Sequence, residues 1–310
     1  MNIRNNKGVA LVITLLVLTL LIVLILEFSQ GMRVEARAAA NFRDDIKAYY
    51  LARSGVTFAI AMLEDDDKTD QNYDSLNELW AQKIPPIPLG DGFVSVEITD
   101  EDSRINVNKM STGFGTVNGE TMRLFMVRFL KQFELEEDIA DSIADWTDTD
   151  DSERIPVGAE SNYYQSLEDP YEAKNKPFDS IQELRLIKGL ENETYNKLQK
   201  FLAVNSDGWI NMNTAGKEVI MSLSENLSGE IADEIIAFRG ENPFPTKQDF
   251  KNNISMSEDV YNEISKFVDV KSNYFSIISR GEVNQSRKII RAIVKRQNNK
   301  ASIIEYWRVE

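Results

Sequence analysis

Val9 to Leu26 run for 18 residues without a charge, interrupted only by Thr14 and Thr19, and that run constrains this chain more than anything after it. Coiled as an α-helix it rises about 27 Å, close to the hydrocarbon thickness of a bilayer. Arg4 and Lys7 precede it, and no charge follows until Glu27. A basic flank stays on the cytoplasmic side, so the rest of the chain is expected beyond the membrane. Three readings of such a start compete. A secretory signal peptide needs a small-x-small site soon after the apolar run. The nearest candidates, around Ala36 and Ala38, come only after Glu27, Arg33, Glu35 and Arg37. A plain uncleaved anchor is the second reading. The third uses the Lys7-Gly8 junction: cleavage between Gly8 and Val9 would remove residues 1–8 as a short leader and leave the helix attached.

The remaining composition narrows the chemistry. At 310 residues the chain exceeds a single core, so two or three units are expected. It has no histidine and no cysteine. That excludes Ser-His-Asp and Cys-His catalysis, imidazole or thiolate zinc sites, CxxC redox chemistry and disulfides. The formal charge of −15 repels phosphate backbones and favours hard cations.

Lys7-Gly8-Val9-Ala10-Leu11 followed by aliphatic residues resembles a type III, prepilin-type signal. Most proteins with that signal carry glutamate at the fifth mature position, where this chain has Ile13. That departure resembles the K-type minor pseudopilins of type II secretion systems.

Downstream of the run, Val34, Phe42, Ile46, Tyr49, Tyr50, Leu51, Val56, Phe58, Ile60 and Leu63 recur at roughly helical spacing. No proline falls between residues 9 and 64, which predicts one helix over 9–64 with its membrane part at 9–26. Gly31 and Gly55 are its weak points, and a membrane helix followed by a separate soluble one is the alternative. Lys83 to Gly92, rich in proline and glycine, reads as a linker. Phe93 to Ile98 alternates as a strand. Tyr274–Gly281, Lys288–Val294 and Ser302–Val309 read as three more, joined through Asn284-Gln285-Ser286 and Asn298-Asn299-Lys300.

The expected fold class is therefore α+β: a long N-terminal transmembrane and amphipathic helix, a small antiparallel sheet and a large, mostly helical insertion. In domain terms, 65–105 begins the α/β body, 106–270 is the inserted helical domain and 271–310 completes the body. Inside the insertion, Met122–Leu130 and Ile139–Ala144 have helical spacing. Ser180–Lys188 reads as a helix with Glu183 placed for a capping box and Gly189 as its stop. Thr194–Val204 reads as that helix's partner.

The densest chemistry lies between Glu134 and Glu160, where eleven acids face one base, Arg154, within 27 residues. Asp145-Trp146-Thr147-Asp148-Thr149-Asp150 can converge several oxygens on one cation, and calcium takes 6–8 of them in irregular geometry. The order is not that of an EF-hand, and a solvated acidic loop is the plain alternative. A carboxylate pair for glycoside hydrolysis has no acid marked as buried.

Asp145-Trp146-x-Asp148-x-Asp150, Gly158-Ala159-Glu160-x-x-Tyr163-Tyr164, Pro170-Tyr171, Asn175 and Pro177-Phe178-x-Ser180-x-x-Glu183-Leu184 together resemble the K-type pseudopilin signature, with spacing intact. The resemblance implies calcium in the helical domain, with Asp145, Asp148, Asp150 and Glu160 as its carboxylate ligands. Ser161 and Asn162 stand where the family often has acids. Trp146 is expected to be a core anchor.

Trp209–Ala215 opens a helix reaching about Leu223, capped by Asn213 or Thr214. With Asn226–Ala232, Ile235–Arg239 and Phe244–Phe250 it resembles the helix-hairpin-helix modules of DNA-binding proteins. Here the hairpin has one glycine, Gly229, beside Glu230, with Glu225 and Asp233 near, so a phosphate meets repulsion. Arg280, Arg287, Lys288, Arg291, Lys295 and Arg296 form the basic cluster, expected on a solvated sheet face or against a neighbouring subunit.

Taken together, the resemblance implies a non-enzymatic minor pseudopilin at the tip of a type II secretion pseudopilus, helping to start its assembly and protein export. Its partners would be the I, J and H types of minor pseudopilin, the major pseudopilin, prepilin peptidase and the inner membrane, with the body in the periplasm and no nucleic acid. The peptidase would cut between Gly8 and Val9, and the new N-terminus would be methylated. The alternatives are a membrane-anchored helix-hairpin-helix protein of DNA uptake and a minor pilin of a type IV pilus.

Overall fold

The apolar run and the amphipathic stretch behind it fuse into one unbroken helix, α1 (Lys7–Asp66), 60 residues long and about 90 Å from end to end. The computed structural model describes residues 7–68, 72–113, 115–154, 157–297 and 300–310. Met1–Asn6 of the expected leader and Asn298–Asn299 of the last expected loop lie outside them. From Gly8 to Arg43 no residue of α1 is buried, so this part stands clear of the body.

From Asp44 onward α1 lies across one face of a five-stranded antiparallel sheet. Its strands are β1 (Ile87–Leu89), β2 (Gly92–Asp100), β7 (Tyr274–Val283), β8 (Ser286–Gln297) and β9 (Lys300–Val309), in that spatial order. The contact is made by a stripe of mostly small residues on α1, Ala48, Ala52, Gly55, Val56, Ala59 and Leu63. They meet Val94, Val96, Ile98, Phe275, Ile277, Ile290, Ala292 and Val294 of the sheet. The large residues expected to form the stripe divide differently. Val56 and Leu63 are buried, but Val34, Phe42, Ile46, Tyr50 and Phe58 remain exposed. Helical spacing alone does not separate the two faces; the sheet selects the face on which backbone can approach backbone.

The expected strands form, and one more joins them. Residues 87–89, expected within a linker, pair with β2 as a short hairpin, Pro88 opposite Phe93. Proline is tolerated there because β1 is an edge strand. Gly90 at φ 60 makes the turn. At the other hairpin Asn284 takes φ 53, and β8 begins at Ser286.

Between β2 and β7 the chain builds a second, mostly helical lobe. It runs through β3 (Ile105–Asn106), α2 (Lys109–Thr112), α3 (Gly119–Lys131), α4 (Asp138–Thr147), α5 (Ser161–Tyr164), α6 (Asn192–Leu198), β4 (Leu202–Ala203) and β5 (Ile210–Asn211). It continues through α7 (Lys217–Ser222), α8 (Gly229–Glu241), α9 (Lys247–Asn253), α10 (Glu258–Ile264) and β6 (Val268–Asp269). Its core is a separate cluster that includes Phe125, Phe129, Trp146, Tyr164, Phe201, Phe244 and Phe250.

Three local expectations are corrected. Ser180–Lys188 tightens to a 3-10 turn at Ile181–Leu186; the Glu183 carboxylate accepts from the Asp179 and Ser180 amides, and Gly189 at φ 84 ends it. Thr194–Val204 is not one helix. Leu202–Ala203 is captured as β4 by parallel pairing with β3, and the Asn108 amide holds the Val204 carbonyl at 2.9 Å. Neither Asn213 nor Thr214 caps α7, which follows Gly216. Asn213 instead holds Phe244 through its amide, and the Thr214 hydroxyl donates to Asp100.

That last contact belongs to a buried polar joint between the lobes. Asp100 accepts from Ser272, Thr214 and Asn211 at 2.6, 2.5 and 3.2 Å. Asp102 accepts from the backbone amides of Asp207, Asn273 and Tyr274. Burial pushes both carboxyls above the ordinary range, against the pull of these donors. The joint binds the end of β2, the start of β7 and the insertion into one unit.

Candidate metal centre

The acidic segment is a helix end and a returning loop. α4 is amphipathic, with Ile139, Ile143 and Trp146 buried. Trp146 anchors it, packing on Tyr164, Tyr171 and Phe178 at ring distances of 5.2, 6.2 and 6.3 Å. The same last turn places Asp145 in the interior and leaves Asp148 as the residue that ends the helix. The loop returns through Gly158 and delivers Glu160 just before α5. Gly158 is required there: a Cβ would sit 2.0 Å from an Asp145 oxygen and 2.8 Å from the Arg154 amide nitrogen.

Carboxylate oxygens of Asp145, Asp148 and Glu160 lie within 4.8 Å of one another. Asp145 accepts from the amides of Ala159 and Arg154 at 2.9 and 3.2 Å through one oxygen, and from the Arg154 guanidinium at 2.6 Å through the other. The same guanidinium nitrogen donates to Asp148. Glu160 is 2% exposed, yet neither of its oxygens has a hydrogen-bond partner, and one oxygen of Asp148 is also bare. Burial, reinforced by Asp145 and Asp148, pushes the Glu160 carboxyl up to about 8.

Asp150, the fourth expected ligand, is not drawn in. It is exposed, accepts from the Ser152 amide at 2.9 Å, and its carboxyl is held below the ordinary range by Ser152. Its neighbour Asp151, which sequence reasoning did not single out, is tied to Asn175 at 2.9 Å and Ser161 at 3.2 Å. Lys188 was also missed; its ammonium donates to the carbonyls of Val157 and Gly158, both at 3.2 Å. No local spacing announces that contact, because it spans some thirty residues.

Buried, unpartnered carboxylate oxygens, with no nitrogen or sulfur ligand among them, fit a hard divalent cation of the calcium type. A second carboxylate group, Asp66, Asp74 and Glu78, also converges. It is an ion-pair centre instead, because Arg296 donates twice to Asp74 at 2.6 Å and to Asp66 at 3.2 Å. Burial pushes Glu78 up to about 7. Arg296 thus departs from its expected place on a solvated face. Arg280, Arg287 and Arg291 stay at the surface beside Glu97, Glu282 and Glu310. Gly8, Val9 and Ile13 all lie in the exposed first turns of α1.

Two family models, both described as type II secretion system (T2SS), protein K, match residues 103–207 and 210–271. Together they cover more than half of the chain, including the whole acidic segment. The chain belongs to the type II secretion system protein K family. That family is a secretion pseudopilin, which is not a known enzyme class. Two protein K relatives are similar along nearly the whole length. The chain is 29% identical over 304 residues to type II secretion system protein K of Pseudomonas aeruginosa, covering 94% of this chain and 90% of that one. It is 26% identical over 315 residues to the protein of the same name from Aeromonas hydrophila, with 96% and 95% covered. The fold is similar to that of a chain in the crystal structure of the GspK-GspI-GspJ complex from the enterotoxigenic Escherichia coli type 2 secretion system. The TM-score is 0.74 at 19% identity, over 89% of this chain and 99% of that one.

Proposed function

We propose that this protein K acts at the tip of a type II secretion pseudopilus, anchored by α1 in the inner membrane with its body in the periplasm. The observation that carries the reading is the shape of the chain. One helix stands clear of the body from Gly8 to Arg43, while the other end carries a lobe of 173 residues (101–273) inserted between two strands of a small sheet. The exposed helix suits side-by-side packing with other pseudopilin helices. The inserted lobe obstructs a subunit stacked above it. Ile13 adds to this: without a carboxylate there, the chain cannot neutralise the N-terminal amine of a subunit above, so it need not sit beneath one. Prepilin peptidase would cut between Gly8 and Val9, and the new N-terminus would be methylated.

The partners proposed are the I, J and H types of minor pseudopilin and the major pseudopilin. The similar solved chain comes from a GspK-GspI-GspJ complex, which supports the first two. Nucleic acid is not proposed as a partner. Lys217, beside Gly229 of the hairpin, is engaged by Asp233 at 2.7 Å, and Glu230 flanks the same turn. The test is co-purification of tagged full-length chain with the other minor pseudopilins from detergent. A stoichiometric complex is expected, with the tag at one end of sheared pseudopili. Labelling along the shaft would overturn the tip assignment.

A calcium ion is proposed at Asp145, Asp148 and Glu160, with backbone carbonyls completing its shell and Asp150 entering only if the loop rim moves inward. When bound, the ion would neutralise buried charge and clamp the end of α4 to the loop before α5. Calorimetry with calcium chloride checks this. Wild type should give a saturable heat and Asp148→Ala a much weaker one, whereas equal heats would remove the site as drawn.

A further inference from the structure

We infer that Arg154 is a built-in cation that occupies the carboxylate site until a divalent ion displaces it. The inference rests on the calcium reading above and concerns what fills the site before calcium does. One Asp145 oxygen is committed to the amides of Arg154 and Ala159. The other Asp145 oxygen is the one a metal must use, and the Arg154 guanidinium sits on it at 2.6 Å. The same nitrogen takes one Asp148 oxygen. Arg154 therefore holds the positions where an ion would bond, and the two compete for the same lone pairs. A guanidinium and a divalent ion also repel at such range in a partly buried site.

The guanidinium fills the site incompletely. It reaches only two of the three converging carboxyl groups, and it leaves both oxygens of Glu160 and one of Asp148 bare. An ion that reaches all three carboxylates completes what Arg154 cannot. The exchange needs no unfolding. The Arg154 side chain is 33% exposed while that of Asp145 is fully buried, so it has an outward route. Its backbone is fixed independently, since its carbonyl accepts from Val157 and Gly158 at 3.1 and 2.7 Å. Rotation about side-chain bonds is enough, and the exposed acids Asp150, Asp151 and Glu153 lie within four residues to receive the charge. Arg154 is also the one base among the eleven acids of this stretch.

Two effects follow. The loop keeps its fold without metal, because Arg154 cross-links α4 to the returning chain. The ion binds less tightly than the carboxylates alone would allow, since it must first evict Arg154, so occupancy follows calcium concentration over a higher range.

The test uses full-length protein in detergent, stripped with a chelator and titrated with calcium chloride, comparing wild type, Arg154→Gln and Arg154→Lys. Arg154→Gln should bind calcium about ten-fold more tightly, because it removes both a competitor and a repelling charge. Its chelated form should melt below wild type, so calcium should raise its melting temperature by more. Arg154→Lys should fall between. If Arg154→Gln folds only with calcium present, that dependence is itself the expected result, and Arg154→Lys carries the affinity comparison. Equal affinity in wild type and Arg154→Gln would overturn the inference and leave the metal site standing. Weaker binding by Arg154→Gln would make Arg154 part of the site's scaffold and overturn it too. No heat and no melting shift in any of the three would remove the metal site itself, and the inference with it.

Discussion

Replacing Arg296 by methionine should destabilise the body by about 3–5 kcal/mol, the usual cost of removing one partner from a buried ion pair. Arg296 is 3% exposed at the end of β8. It donates to both oxygens of Asp74 at 2.6 Å, to the Ser272 carbonyl at 2.7 Å and to Asp66 at 3.2 Å, and lies 5.0 Å over the Phe275 ring. Methionine replaces most of the packing but leaves Asp74 buried opposite Asp66. The pH dependence has a definite sign. Burial already raises the carboxyls of Asp74 and Asp66. Without the guanidinium they rise further, so the folded variant holds more protons than the unfolded chain and its stability falls as pH rises. The deficit should therefore be smaller at pH 5 than at pH 8. Denaturant midpoints of the full chain at the two pH values check this, and adding Asp74→Asn to Arg296→Met should recover part of the loss. A deficit below about 1 kcal/mol at both pH values would class the pair with solvated surface ion pairs.

Arg296 also shows where the sequence could be read further. On β8, residues 290, 292, 294 and 296 share a parity, and Ile290, Ala292 and Val294 face α1. The period of two already placed Arg296 inward; grouping it with its basic neighbours concealed that. The strands themselves were legible because apolar alternation marks them, and α1 because nothing between residues 9 and 64 breaks a helix. β1 was not, since two of its flanking prolines and Pro88 itself read as loop. Leu202–Ala203 was not, because its strand partner lies almost a hundred residues earlier. The site follows the same division. Asp145, Asp148 and Glu160 share a motif whose spacing is local to one helix end and one loop. The closeness of Arg154 to two of them, and of Lys188 to the loop carbonyls, depends on how that loop folds back. Asp150 alternates with Asp148 in sequence, but α4 ends at Thr147, and the extended backbone at Asp148 leaves Asp150 exposed on the rim.

The face of α1 that touches the sheet leads to the second large effect, at Gly281 of β7. A Cβ there would lie 2.1 Å from the Ala48 carbonyl oxygen, 2.5 Å from the Ala52 nitrogen and 2.9 Å from the Leu51 Cβ. The two nearest atoms are helix backbone, which cannot rotate away, so any side chain must lift α1 from the sheet. Lifting opens gaps along the whole contact, where Ala48, Ala52 and Ala59 are 0% exposed and have no longer side chain to fill them. Overpacking normally costs 1–3 kcal/mol, and Gly281→Val should exceed about 3 kcal/mol because relaxation at one point unpacks the others. Gly55→Ala is the discriminating companion. Its Cβ would first meet the Ser279 hydroxyl at 2.1 Å and then methyl groups of Val94 and Val96 at 2.7 and 3.0 Å. The Ser279 hydroxyl has no hydrogen-bond partner to lose and can turn aside. The loss should be about 1–2 kcal/mol, offset in part by the better helix propensity of alanine. Gly31→Ala, with nothing within 4 Å, should cost nothing. The order Gly281→Val, Gly55→Ala, Gly31→Ala in falling denaturant sensitivity is thus set by what each new methyl group meets: backbone, a rotatable hydroxyl, or open space. If Gly281→Val and Gly55→Ala proved equally mild, α1 would have to be held to the sheet by its larger side chains, and the small-residue stripe would be incidental.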